Sequence, residues 1–385
     1  MSHRSRAARR SRAVLPLVCG LSALALAPTA AAAVRTAKPG GITAALAASA
    51  PGDVVQLRAG TYRDAVTVPA FAGDVTLEAF PGETPTLTSL TLTGGSHLRL
   101  RGLVLRALRA TGTTDLTVEG GEVIAGGAFF QATHRLTVTG VRVHDANDGL
   151  VVQKANDFTI SHNECFNVPL PSRAEGGDCL QMVTTNRFQI TDNLFRDQPN
   201  KPHTDAIEIL DNNADGLIAR NTFRNVRGIV MTPGNQPLRD QWRMTVVNNL
   251  FARTRTFAFN GVRMHDSRFA NNTAADGGYV QFGGASSGNA VVNNIMSRFQ
   301  VDVTRQRTYV PVEDYNLIGS APAGTKFGAH DLIGSATFRD PAQFDYRLAA
   351  GSKGIGAGDA ASLPADDLLG APRTQPDLGA YGFAS

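Results

Sequence analysis

Few residues in this chain carry charge or aromatic rings: 18% of its 385 residues are charged and 7% aromatic, with one Trp and three Cys. So few cysteines exclude a small scaffold stapled by disulfides, and their spacing matches no metal-binding pattern. No apolar run is long enough to cross a membrane as a helix; the longest, Val14 to Ala27, falls short of the roughly 20 residues required. Sustained helical periodicity is also missing beyond one short stretch, which excludes bundles and coiled coils. The formal charge of +4 is deceptive. Arg4, Arg6, Arg9, Arg10 and Arg12 precede that apolar run, and Ala31-Ala32-Ala33 offers a small-residue cleavage site, the layout of a secretory signal peptide over residues 1–33. Arg9-Arg10 also permits a twin-arginine reading. Without those five of 37 basic residues the balance is 32 − 33 = −1. Charge therefore gives no reason to expect a nucleic-acid partner, although a local basic cleft for an anionic sugar polymer remains compatible with it.

What the chain does have is a repeated phrase. Short apolar alternating runs end in Asn at 163, 193, 221, 249, 272 and 294, at spacings of 22 to 30 residues, and Gly102, Gly120 and Gly140 fill the same slot earlier. A unit of that length with several short β runs cannot bury its own apolar face, so it must stack on its neighbours as a solenoid. The period suits one turn of a parallel β-helix. Asn and Gly both tolerate the left-handed backbone of a sharp corner, and an Asn side chain can bond its counterpart one coil away. Two residues later the slot holds Cys165, Phe195, Phe223, Phe251 or Met296, the expected inward column. Cys165 and Cys179 lie one coil apart in an exported setting and can either pair or remain buried thiols.

The expected fold is all-β: a single-stranded right-handed parallel β-helix of about ten coils over residues 65–303. An N-terminal cap over 34–64 contains a short helix, Ile42 to Ala48, and a strand, Val54 to Leu57. An irregular tail over 304–385 closes the other end, so one domain with two caps is expected.

Aligning the strand starts Asp148-Gly-Leu-Val-Val, Asp178-Cys-Leu-Gln-Met and Asp205-Ala-Ile-Glu-Ile places three carboxylates in one column. At about 4.8 Å per coil, adjacent pairs would repel by roughly 3 kcal/mol unless a cation, a shared proton or basic neighbours compensate. Asp148, Asp178 and Asp205 are thus candidate ligands for Ca²⁺, the one cofactor this pattern suggests. A single Asp at such a junction more often caps a turn; three in register, beside long loops carrying Arg173, Glu175, Lys201 and His203, favour function. Outward Gln153, Gln181 and Glu208 can line a groove, with Leu150, Leu180, Ile207 and Ile229 turned inward. Arg227 and Lys154 are candidate partners for a substrate carboxylate. His203 can exchange protons near neutral pH; His144, His162 and His265 lack comparable neighbours. Trp242 falls in a turn insertion, Pro233 to Arg243.

The entry phrase GGITAALAASAPGDVVQLRAGTYRD and the closing phrases of the tail resemble those of right-handed β-helix proteins acting on polysaccharides. Asn147-Asp148-Gly149-Leu150 and Gly177-Asp178-Cys179-Leu180 are similar to strand starts bearing the catalytic acids of polygalacturonases, within the pectate-lyase-like superfamily. In that family the second phrase has two adjacent Asp, and Gly177 replaces the first; Thr204-Asp205-Ala206 stands where a Gly-His-Gly is expected. The hydrolase pair is therefore incomplete. Pro202-His203-Thr204-Asp205 resembles the Pro-His-acid motif of mannuronan C5-epimerases. The resemblance implies an exported, monomeric lyase or C5-epimerase acting on a uronic-acid polymer. In that reading Lys201 or His203 takes the proton α to the carboxylate, Arg173 holds the substrate, and Gln181, Glu208, Arg227 and Lys154 contact it. A β-helix glycoside hydrolase and a non-catalytic carbohydrate-binding or adhesin protein are the alternatives.

Overall fold

The structure, a computed structural model, describes residues 31–169, 177–232, 240–302 and 312–383. Most of the leader-like segment lies outside them. Thirteen strands stack in parallel on one sheet, from Val34–Ala37 to Val312–Asp314, and a second set of short parallel strands closes each coil. Residues 137–153 show one unit: Thr137–Thr139, a corner, Arg142–Ala146, a second corner, then Leu150–Gln153; Asn156–Ser161 opens the next coil and stacks on Thr137–Thr139. Each strand bonds the equivalent strand of the next coil, as in Leu150↔Leu180 and Leu180↔Ile207. Stacking runs past residue 303: Leu317–Ile318 pairs Ile295–Met296, and Leu332–Ile333 follows. The helix is Ile42–Ala47, with Ile42 and Leu46 buried in the main core. Among the described residues no helix is long and apolar enough to cross a membrane.

The core is built of like residues stacked on like. Phe195, Phe223 and Phe251 lie face to face with centroids 5.1 and 4.6 Å apart, and Phe158 stacks on Phe188. Cys165 occupies the same column below Phe195 and is disulfide-bonded to Cys179. Of the two states open to these cysteines, the structure shows the paired one.

The Asn phrase forms a buried ladder. Asn163, Asn193, Asn221, Asn249, Asn272 and Asn294 each donate from Nδ2 to Oδ1 of the next at 2.9–3.1 Å, and Asn316 continues the series. Each Oδ1 also accepts the backbone N–H of the preceding ladder Asn, and each Nδ2 reaches a carbonyl of the coil before, such as Ile190 O from Asn221. The left-handed residue at this corner is not the Asn but the residue before it: His162, Asp192, Arg220, Asn248, Asn271 and Asn293 all have φ between 54° and 61° or, at Asn271, 50°. Gly102, Gly120 and Gly140, at φ 62–66°, share that column through Gly140 N–H donating to Ser161 O and His162 N–H to Thr191 O. The glycines are thus one position out of register with the ladder. Backbone strain is met by Gly in early coils, while the Asn beside the strained residue turns inward and satisfies the corner's buried polar groups.

A second left-handed column carries alternating charge. Asp115 binds Arg135, Asp157 binds Arg187, and Asp215 binds Arg243, each with a closest approach of 2.6 Å. These pairs sit in solvent and contribute little stability individually, but opposite signs on successive rungs disfavour a slipped coil. The tail packs beside the Asn corner: Asn248 and Asn293 donate to Asp366 O and Asp359 O, and Arg373 reaches Asn248 Oδ1 at 2.8 Å.

Asn221→Ala leaves the Asn193 N–H and Ile190 O without buried partners, so it is expected to cost on the order of 3 kcal/mol in urea unfolding. Asn225→Gly, which removes an exposed bond to Asp197 and keeps a residue that tolerates the φ of 55° there, is the control and should cost under about 1 kcal/mol. Replacing both Cys165 and Cys179, separated by 14 residues, should cost about 3 kcal/mol in the same measurement; an unchanged midpoint would contradict the pairing.

Candidate functional site

Strand register places Asp148, Asp178 and Asp205 on consecutive coils. Leu150↔Leu180↔Ile207 fixes the coils, and each Asp lies two residues before its partner in that series. The column has a fourth rung, since Asp205 pairs directly with Arg227. It ends in rings: Arg227 lies 5.6 Å from the centroid of Phe257, which meets Tyr279 edge to face.

Part of what the Asp side chains do is structural. Asp205 N–H donates to Asp178 Oδ1 at 2.8 Å, and Asp178 N–H lies 3.4 Å from Asp148 Oδ1. Asp148 and Asp178 therefore serve the backbone of the coil above, a rung-to-rung version of the turn-capping expected of a single Asp. What remains is chemically unusual. Asp178 and Asp205 are 5% and 1% exposed, and Glu208 from the next outward column faces Asp178. Burial, with Glu208 and Asp205 adding negative charge, holds the Asp178 carboxyl well above the usual range. Burial also pushes Asp205 up to about 7, against the opposing pull of Arg227. Asp205 Oδ1 and Arg227 Nε approach to 3.1 Å, yet neither atom has a hydrogen-bond partner because the approach is off-axis. Gln181 Nε2 donates to Glu208 Oε2 at 2.9 Å and ties down the third acid.

Two adjacent columns thus bring together Asp178, Asp205 and Arg227 with Gln181 and Glu208. Other expected site residues stand apart. Gln153 pairs in register with Val183, not with Gln181. Lys154 is exposed at the far end of the strand, six residues from Asp148, a span of about 20 Å. Lys201 Nζ donates to Pro169 O at 2.9 Å, so it fastens one loop to another. His203 is exposed on a left-handed turn two residues before Asp205. Arg173 and Glu175 lie outside the described residues. Arg255 adds a brace that sequence reasoning missed, donating to Gln198 O at 2.7 Å, while Gln198 accepts from Val168 N–H. Only the register of Thr254–Val262 against Arg227–Thr232 could have flagged it.

Ca²⁺ prefers six to eight oxygen ligands. Among the described residues no group of three or more His, Cys, Asp or Glu is arranged to hold a metal ion. Asp148 and Asp178 each turn an oxygen to backbone N–H, and the place of a cation beside Asp205 is taken by Arg227. The donor set does not fit the ion, and no chemistry below is routed through one. The glycine at 177 also has a steric cause: a Cβ there would stand 1.7 Å from Asn147 O and 3.0 Å from Val168 Cγ1. This backbone has no room for the second acid of a polygalacturonase-type pair.

The family model described as "Right handed beta helix region" matches residues 124–297, the span that contains the acid column and most of the Asn ladder. No curated protein matches the chain by sequence. Among solved structures, the pectate lyase Pel9A is 14% identical with a TM-score of 0.50, covering 93% of this chain and 98% of that one. The A-module of the Azotobacter vinelandii mannuronan C-5 epimerase AlgE6 is 15% identical with a TM-score of 0.52, covering 78% and 95%. XylC in complex with xylose is 8% identical with a TM-score of 0.53, covering 91% and 98%. At these identities the likeness is one of fold. The stacked parallel coils, the matched repeat region and these structures agree on one fold, a right-handed parallel β-helix.

Proposed function

We propose that this protein is an exported polysaccharide-active enzyme that acts on a uronic-acid polymer as a lyase or C5-epimerase, by removing the proton α to the carboxylate. The observation that carries this reading is the gathering of buried Asp178 and Asp205 with half-buried Glu208 beside Arg227. A carboxyl that keeps its proton at neutral pH can donate to a substrate carboxylate instead of repelling it. Arg227 supplies the complementary positive charge. Together they stabilise the electron pair that moves onto the carboxylate as the C5–H bond breaks.

The base must come from the overhanging loop. Lys201 is engaged with Pro169 O, which leaves exposed His203 as the group free to take the proton. Elimination then expels the C4 oxygen with a proton; epimerisation returns a proton to C5 from the opposite face. The leader-like residues 1–33 and the disulfide both suit an oxidising compartment outside the cytoplasm. The missing space at Gly177 weighs against the hydrolase alternative.

Purified protein incubated with alginate or polygalacturonate is expected to yield unsaturated uronate, read by ultraviolet absorbance, or inverted C5 centres, read by NMR. New reducing ends without either would establish hydrolysis instead. Asp178→Asn and Asp205→Asn should each lower kcat by at least about 100-fold with the fold intact by circular dichroism; full activity in both would remove the site.

The pH dependence has a definite sign. Asp205 has an ordinary value of 3.8 and a folded value of about 7, so between them the native state holds the extra proton. Activity that needs the protonated form should fall as pH rises through about 7. Stability should fall over the same window and level off above it, since burying the carboxylate is then fully unfavourable. Asp205→Asn is expected to flatten that decline in urea titrations between about pH 5 and about pH 8, even while lowering turnover.

A further inference from the structure

Trp242, the only tryptophan of the chain, is 38% exposed. It lies in the strand Gln241–Trp242 of the first sheet, on a different sheet from the acid column. Sequence alone assigned it to a turn insertion. One face of its indole is stacked on His265, centroids 4.3 Å apart and planes 24° apart. His265 is itself held by Ser287 Oγ at 2.7 Å and lies 3.4 Å from Asp240 Oδ1, which also binds Arg263.

Register shows what lies on the other face. The row runs Asn186, Ala214, Trp242, His265 along successive coils. Stacking on His265 runs along the solenoid axis, so the free face of the indole is turned toward the coil of Ala214. Ala214 presents only a methyl group there, and the rung beyond is Asn186, whose Oδ1 is buried without a hydrogen-bond partner. Two rung spacings, about 9.6 Å, separate the coils of Trp242 and Asn186. A ring over Ala214 would occupy the missing rung at nearly the spacing His265 already adopts. Immediately alongside, Asp157, Arg187 and Asp215 border a groove of about 380 Å³ together with Thr159, Gln189 and Leu217.

We infer that the slot over Ala214, walled by Trp242, binds a pyranose ring of a polysaccharide chain that continues along this groove. The apolar face of a sugar ring suits the indole, and its hydroxyls suit a border that both donates and accepts. Charge along the border alternates as Asp157–Arg187 and Asp215–Arg243 pairs. That pattern offers no net positive field to a phosphodiester polymer, which distinguishes a sugar from a nucleobase as the occupant. The site lies about 20 Å along the coil from the acid column, past the strand Asp205–Leu210 and the corner that leads to Ala214, so it is a second, non-catalytic binding surface. It does not rest on the chemistry proposed for the acid column.

Because Trp242 is the sole indole, its emission reports this site alone. The full chain is titrated with xylohexaose, with oligogalacturonate and with a single-stranded DNA oligomer. A saturable emission change with at least one of the two sugars is expected, and none with DNA. Ala214→Phe fills the slot while keeping the fluorophore and should abolish the change. Trp242→Ala should weaken retention in affinity electrophoresis on the same sugar on the order of tenfold, whereas Asp205→Asn should bind as wild type. No emission change with either sugar, a response to DNA alone, or wild-type binding by Ala214→Phe overturns the inference. Turnover without an emission change would refute this surface and leave the acid column standing; an emission change without turnover would do the reverse.

Discussion

Everything in this molecule depends on the hydrogen-bonded stacking of one coil on the next, and the buried Asn ladder is where that constraint is tightest. A β-helix corner takes backbone N–H and C=O groups out of water where no strand partner can satisfy them. Each ladder Asn meets that need three ways, through its Oδ1 for a neighbouring N–H, its Nδ2 for a carbonyl, and the amide of the next Asn. A coil displaced by one residue would forfeit all three and turn its core residues outward. The ladder therefore sets the register of every other column.

Register has different consequences on different faces. On one it superposes Asp on Arg on Asp, and the pairs are exposed and mutually satisfied. On another it superposes Asp148, Asp178 and Asp205, two of which are almost wholly buried. The second arrangement works against folding, since like carboxylates brought together out of water must keep protons or find a cation. Asp205 meets Arg227 without a hydrogen bond, and Asp178 meets Glu208. Such a locally unfavourable cluster is carried by a scaffold of stacked Phe and bonded Asn.

The two faces also show how a coil can carry separate surfaces without a second domain. The acid column lies where one coil's loop enters a strand, and the indole slot lies past the end of that strand, after a turn. Because every coil repeats the same path, both surfaces extend along the axis.

The sequence by itself determined the repeat, the inward columns and the alignment of the three Asp, because a period of 22 to 30 residues can be read directly and each follows from it. It also exposed Gly177 as a departure, although not the clash with Asn147 that requires it. It could not tell which residue at the corner is left-handed, since Gly and Asn are alike in tolerating that backbone; only the coordinates separate His162 from Asn163. Nor could it show that Gln153 and Lys154 leave the site, that Lys201 is bound to Pro169 O, or that Trp242 stands beside an empty rung. Those outcomes rest on how loops of unequal length fold across neighbouring coils, and on burial. The tertiary structure decided them because the desolvation that holds a proton on Asp205, like the open face of Trp242, is a property of the surroundings and not of the residue.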